Sequence, residues 1–304
     1  MIRILFLLLI SFSLSAQTQP TGGYISNLNA TVVFQRDSTI ILSFQFVDDH
    51  MVALTSTHKQ FALMLFDEKM NPADTFYLKD YTIDNGMMLR KDPQHGSIYL
   101  MNKKGMVTFF TVENEKLIAQ EKTLNSKDPL VDYRSFSSKV IGLGLKKSNK
   151  MYSLFQIDTI PGVPEIFSVK YKKRAKNPYS PDFYFTRKVF LYTSADNLCV
   201  VDIPNLKVNR INNSFVSVEQ KMNAIPMKFE TFEIIDIMED SFYFVAAEVQ
   251  KPKSLFKYSF STGKYEMLKI INFKVAYNFQ FFNSKLYFIA KVPGKFHGVY
   301  SVSF

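Results

Sequence analysis

The chain has 304 residues, a formal net charge of +10 and a single cysteine, Cys199. One cysteine excludes an internal disulfide framework, and 30 Phe and 16 Tyr beside only 11 Gly favour pleated, half-buried strands over helices or low-complexity linkers. The positive excess suits an anionic partner.

At the start, Met1-Ile2-Arg3 leads into an apolar stretch over 4–10 and then into small and polar residues ending Ser13-Leu14-Ser15-Ala16-Gln17. That order is the pattern of a secretory signal peptide, and the apolar stretch is too short to span a bilayer. The expectation is a signal peptide over 1–16 and one mature domain over 17–304, exported to the periplasm or the cell surface, with no transmembrane segment after cleavage. No cysteine stands directly after the apolar stretch, so no lipid anchor at a new N-terminal cysteine is expected.

From residue 38 the chain alternates apolar runs with short polar turns. Five turns recur at intervals of about 46, 45, 46 and 57 residues: Asp67-Glu68-Lys69-Met70, Glu113-Asn114-Glu115-Lys116, Asp158-Thr159-Ile160-Pro161-Gly162, Pro204-Asn205-Leu206-Lys207 and Ser261-Thr262-Gly263-Lys264. Such a period is the mark of a radial β-array. Written beneath one another, the runs give four strands per unit, the first unit over 38–46, 51–56, 61–66 and 75–81. The second covers 86–90, 97–101, 106–112 and 117–124, and the third 133–137, 139–145, 151–157 and 165–172. The fourth is read as 183–185, 188–193, 198–202 and 208–211, followed by a long connection over 212–228 in which 216–223 is the one stretch with helical spacing. The fifth covers 229–237, 241–247, 254–260 and 265–271. The sixth has only 274–281, 285–290 and 298–304, one strand short, and the apolar run 30–35 at the other end belongs to no unit. The prediction is an all-β, six-bladed β-propeller whose last blade is completed by the N-terminal strand, which leaves no open seam. A seventh, degenerate blade over 212–228 is the alternative count.

The hairpins Leu255-Phe256-Lys257-Tyr258-Ser259-Phe260-Ser261-Thr262-Gly263-Lys264-Tyr265 and Ser97-Ile98-Tyr99-Leu100-Met101-Asn102 resemble blade hairpins of bacterial six-bladed propellers of the TolB-like or NHL-like type. The resemblance spans nearly all of the mature chain. It implies the architecture, and such families include envelope scaffolds, polymer binders and metal-dependent lactone hydrolases; no functional residue carries over. A rival architecture is an outer-membrane β-barrel, because Val299-Tyr300-Ser301-Val302-Ser303-Phe304 alternates and ends in Phe. Against it, the continuous apolar runs over 61–66 and 242–247 lack the alternation that lipid-facing strands need and suit strands buried on both faces.

For chemistry, the four histidines His50, His58, His95 and His297 form no spaced metal pair, and neither a nucleophile elbow nor a Gly-rich phosphate loop occurs. No catalytic residue, metal ligand or cofactor is assigned. Asp48-Asp49-His50 and Glu239-Asp240 read as solvated turns, Asp236 as a polar interruption of an apolar inner strand, and Cys199 as a buried thiol. Charge is the sharper signal: residues 139–188 hold 11 basic and 3 acidic residues. Candidate ligand-binding residues are Lys103, Lys104, Lys146 and Lys147 in connections between second and third strands. Lys172, Lys173, Arg174 and Lys176, with Tyr171 and Tyr179, stand in a link between units. In a propeller both kinds of connection lie on one face, while Asp48, Asp49, Asp67, Glu68, Asp92, Glu113, Glu115, Glu239 and Asp240 fall on the other. The function this implies is an envelope-associated binding or scaffold module whose Lys-rich face meets an anionic polymer or an acidic protein. Nucleic acid is not an expected partner of an exported chain. The alternative is a metal-dependent hydrolase or lactonase on the same fold.

Overall fold

The computed structural model describes residues 24–26, 29–57, 60–78, 89–92, 96–101, 106–123, 130–137, 139–146, 151–157, 165–170, 189–194, 196–203, 205–225, 229, 231–248, 251–273 and 275–303. Among them there is no helix. Two short strands come first, β1 (Tyr24–Ile25) and β2 (Thr31–Gln35). Next come β3 (Ile40–Val47), β4 (His50–Thr57), β5 (Gln60–Phe66) and β6 (Pro72–Leu78), then β7 (Arg90–Asp92), β8 (Ser97–Met101), β9 (Met106–Glu113) and β10 (Lys116–Thr123). The third group is β11 (Leu130–Phe136), β12 (Lys139–Lys146), β13 (Met151–Ile157) and β14 (Glu165–Lys170), and the fourth β15 (Val189–Thr193), β16 (Asn197–Asp202), β17 (Lys207–Asn212) and β18 (Ser217–Lys221). The chain closes with β19 (Thr231–Ile237), β20 (Ser241–Ala247), β21 (Lys253–Ser259) and β22 (Tyr265–Ile271), then β23 (Val275–Phe282), β24 (Lys285–Lys291) and β25 (His297–Ser303).

These strands make five four-stranded sheets and one of five strands, each an antiparallel meander in chain order apart from the added N-terminal strands. The first strands of the sheets contact one another in series, β3 to β7, β11, β15, β19 and β23, and β23 returns to β3. That arrangement is a β-propeller, and six separate sheets replace the single closed sheet that a membrane barrel requires. Second and third strands are buried on both faces: Met51 to Leu54 of β4 and Leu63, Leu65 and Phe66 of β5 are out of contact with solvent. Continuous apolar runs therefore mark strands sandwiched between neighbouring sheets. Leu54 and Leu63 of the first sheet and Leu100 and Phe110 of the second share one core layer, and Met51 and Phe66 share another with Tyr287 and Ile289 of the last. Four first strands, β3, β11, β19 and β23, carry a register shift, and such bulges bend a strand and increase its twist.

The N-terminal run pairs where the strand count places it. β2 lies antiparallel to β25, Thr31 opposite Ser301 and Gln35 opposite Gly298, and Phe34 sets its ring edge-on to Phe66 of the next sheet at 4.6 Å between centroids. One feature goes beyond the expectation. β1 adds parallel to β22, the outer strand of the preceding sheet, with Ile25 buried there and Asn272 N donating to Ile25 O at 2.7 Å. The N-terminal segment thus fastens two adjacent sheets at their outer strands.

The fourth unit is corrected. Residues 217–221 form the outer strand β18, not a helical turn, and 189–193 is the innermost strand, not the second. The turn at Asn205-Leu206 joins second to third strands, and the equivalent of the other four repeat turns is Asn213-Ser214-Phe215-Val216. Residues 171–188, which precede this sheet, lie outside the described residues. Phe215 mimics a polar turn residue at φ 59°, where Asn212 Oδ1 accepts the amides of Ser214 and Val216 and holds the turn. In the second sheet the inner strand is shifted as well, from 86–90 to Arg90–Asp92. The predicted strand over 183–185 and the predicted signal peptide over 1–16 lie outside the described residues.

Candidate functional site

The axis of the ring is lined by the six first strands, and polar side chains cross every seam between them. Gln45 Nε2 on β3 donates to Leu89 O at the start of β7, 3.1 Å away. Arg90 on β7 donates to Asp132 Oδ1 on β11 at 3.0 Å, and Arg134 on β11 donates to Leu191 O on β15 at 2.9 Å. Tyr192 on β15 donates its hydroxyl proton to Asp236 Oδ1 on β19 at 2.6 Å. Glu233 on β19 accepts the amides of Asn278 and Phe279 on β23 at 3.1 and 2.7 Å. Asn278 Oδ1 then accepts Phe44 N on β3 at 2.7 Å, and Gln280 Nε2 donates to Phe44 O, which closes the circuit.

The local sequence explains the belt. Gln45, Arg90, Arg134 and Gln280 each stand two residues before the end of a first strand, so the same position recurs in four sheets and offers a long donor to the next strand. In β23 the bulge places Asn278 at φ 55°, and consecutive amides at such a kink form a concavity that suits an anion; Glu233 fills it. Burial pushes the Glu233 carboxyl up, against the pull of Lys253 and of the two amides. Burial in turn lowers Lys253, whose ammonium lies 5.7 Å from the centre of the Phe279 ring. Asp132 is buried, and its Oδ1 takes both guanidinium groups and the amide of Tyr133.

Several residues singled out in the sequence fall into place. Asp236 is half-buried and bonded to Tyr192 and to the amide of Ile237. Asp92, expected on the exposed acidic face, is buried and accepts the Ser135 hydroxyl at 2.8 Å, because the inner strand begins later than expected. Cys199 is buried in the core of the fourth and fifth sheets, and desolvation pushes its thiol up to about 11. Asp240, in the turn between β19 and β20, reaches across to the turn between β21 and β22, accepting Ser261 N at 2.7 Å and the hydroxyls of Ser261 and Ser259, which holds its carboxyl below the usual range. Among the described residues no three His, Cys, Asp or Glu side chains converge as a metal set.

Of the basic candidates, Lys146 is the last residue of β12, in register with Met151, which is in turn opposite Lys170, the last residue of β14. The link over 171–188 starts at that edge. Lys103, Lys104, Lys147, Lys172, Lys173, Arg174, Lys176, Tyr171 and Tyr179 lie outside the described residues. The belt itself was not anticipated, yet it has a signal: Phe44-Gln45-Phe46-Val47 and Phe279-Gln280-Phe281-Phe282 repeat a single amide inside an apolar run.

The fold and its axial belt define a β-propeller. No protein-family model matches the chain, and no curated protein sequence matches it. Its likeness to known proteins lies in structure. A Bacteroides fragilis protein described as exported superposes with a TM-score of 0.56 at 8% identity, over 92% of this chain and 98% of that one. An oligogalacturonate lyase in complex with manganese gives 0.54 at 9% identity, over 90% and 93% of the two chains. At these identities the likeness is one of fold.

Proposed function

We propose that the protein is an exported binding or scaffold module of the cell envelope, a six-bladed ring sealed by its N-terminal strand, which holds an anionic polymer or an acidic protein on a Lys-rich face. What supports this reading is the cationic sequence that follows the third sheet. Lys146 and Lys170 flank Met151 at one end of the third sheet, and the segment bearing Lys172, Lys173, Arg174 and Lys176 continues from that end. The turns between second and third strands on the same side add Lys251, Lys291 and Lys295. The axial polar groups, by contrast, bond across the seams, so the interior serves closure and the rim is left for recognition. The start of the chain and the fold shared with an exported protein support export.

Capture by lysine and arginine acts through long-range attraction and is screened over about 8 Å at physiological ionic strength. Replacing Lys172, Lys173, Arg174 and Lys176 together by Ser is expected to shift elution from a carboxylate resin to lower salt and to leave the melting temperature within error, since exposed charges add little stability. Unchanged elution would contradict the reading.

A further inference from the structure

One corner of the last sheet carries side chains that neither the core nor the belt uses. Lys291 on β24 lies opposite His297 on β25. Gln35 on β2 lies opposite Gly298, which brings Arg36, one residue further, level with His297. Directly opposed residues project from the same face, and strands are spaced by about 4.8 Å, so Lys291, His297 and Arg36 form a row. Val275 on β23, opposite Lys291, extends it, and Lys295 and Phe296 stand in the turn between β24 and β25.

Arg36, Lys291 and Lys295 are exposed, and among the described residues none of the three enters an ion pair; Asp37 is the neighbouring acid. Phe296 and Val275 are also open to solvent, at 43% and 37%. The corner is held firmly all the same. Gln35 Nε2 donates to Phe296 O at 2.8 Å and Lys295 N to Val292 O at 3.1 Å. Tyr277 donates to Ile41 O at 2.6 Å, so its oxygen receives the Nδ1 proton of His297 at 3.3 Å.

We propose that this corner docks an acidic protein segment whose carboxylates meet Arg36, Lys291 and Lys295 and whose apolar side chains cover Val275 and Phe296. Exposed apolar side chains set among uncommitted cations need a partner that offers both chemistries. A polysaccharide acid supplies carboxylates but no aliphatic side chain for Val275. This inference rests on the reading that the same side of the ring meets an anionic partner, and it narrows that partner to protein.

The test uses the full chain and the fluorescence anisotropy of a short labelled peptide of alternating Glu and Leu. Arg36→Glu with Lys291→Glu is expected to weaken binding by about tenfold or more, with an unchanged melting temperature. The Lys172, Lys173, Arg174 and Lys176 variant should bind this peptide as the parent does. Phe296→Ser should weaken the Glu–Leu peptide several-fold and leave a Glu–Ser peptide, already the poorer ligand, unaffected. Undiminished affinity in the double variant, equal binding of the two peptides, or polygalacturonate competing as well as the Glu–Leu peptide would each overturn the proposal. Loss of peptide binding in the quadruple variant alone would place recognition on the basic link and also overturn it, while leaving the broader function standing.

Discussion

Asp132 concentrates the electrostatics of the axis in one carboxylate, with Arg90 and Arg134 on the same oxygen. Removing one partner of a buried ionic group leaves the others uncompensated, so Asp132→Ala is expected to cost about 3–5 kcal/mol in denaturant unfolding. A loss under 1 kcal/mol would show that the guanidinium groups are solvated in place. Cys199 should be inert to thiol reagents in the native state and react only on unfolding, because its thiol is raised to about 11 and buried. His297 titrates in the opposite sense. Burial and Lys291 lower its pKa, so the folded state favours the neutral ring. Its contribution to stability is complete above the unfolded value near 6.5 and is lost as pH falls toward the folded value. His297→Gln should therefore flatten the decline of melting temperature between pH 7.5 and pH 5. At this scale the sequence was partly readable: a thiol in Leu198-Cys199-Val200-Val201 has nowhere to go but a core. Asp92 misled, since burial of a carboxylate depends on a partner, Ser135, that is 43 residues away.

Strands were legible wherever packing alone decides them. The apolar runs in β4, β5, β20 and β24 read correctly because both faces of each are covered, so no alternation is needed. Outer strands were harder. β18 has Ser217, Val218 and Glu219 exposed and resembles a loop in composition; only pairing with β17 makes it a strand. Misplacing it moved the whole fourth unit by one strand. β1 is two residues long and depends on the edge of β22, which no local pattern announces. These two N-terminal strands should differ in weight. Ile25→Ala removes a fully buried side chain from the fifth sheet and is expected to cost about 2–5 kcal/mol. Removing residues 17–37 deletes β1 and β2 together, uncovers β25 and withdraws Phe34 from Phe66. That truncation is expected to lower the melting temperature further than Ile25→Ala and to cause association through the freed edge. A monomeric truncation with parent-like stability would argue that the ring is closed by other contacts.

Across the whole molecule the division of labour is spatial. Polar side chains on first strands bond around the axis, while Lys291 and Lys295, at the end of the second strand of the last sheet and in the turn after it, enter no ion pair among the described residues. The sequence disclosed the repeat and the charge imbalance but not the belt, because each of its bonds joins residues about 40 positions apart or more. Export is checked separately: the protein recovered from the envelope or medium should begin at Ala16 or Gln17. The central claim is that a cationic side of a closed ring captures an anionic partner. Hydrogen exchange with and without a dextran sulfate oligomer tests it most directly. The account predicts added protection in 171–188 and in the turn over 292–296, with none at Asp48-Asp49 or Glu239-Asp240. Protection confined to those acidic turns, or spread evenly over the ring, would contradict it.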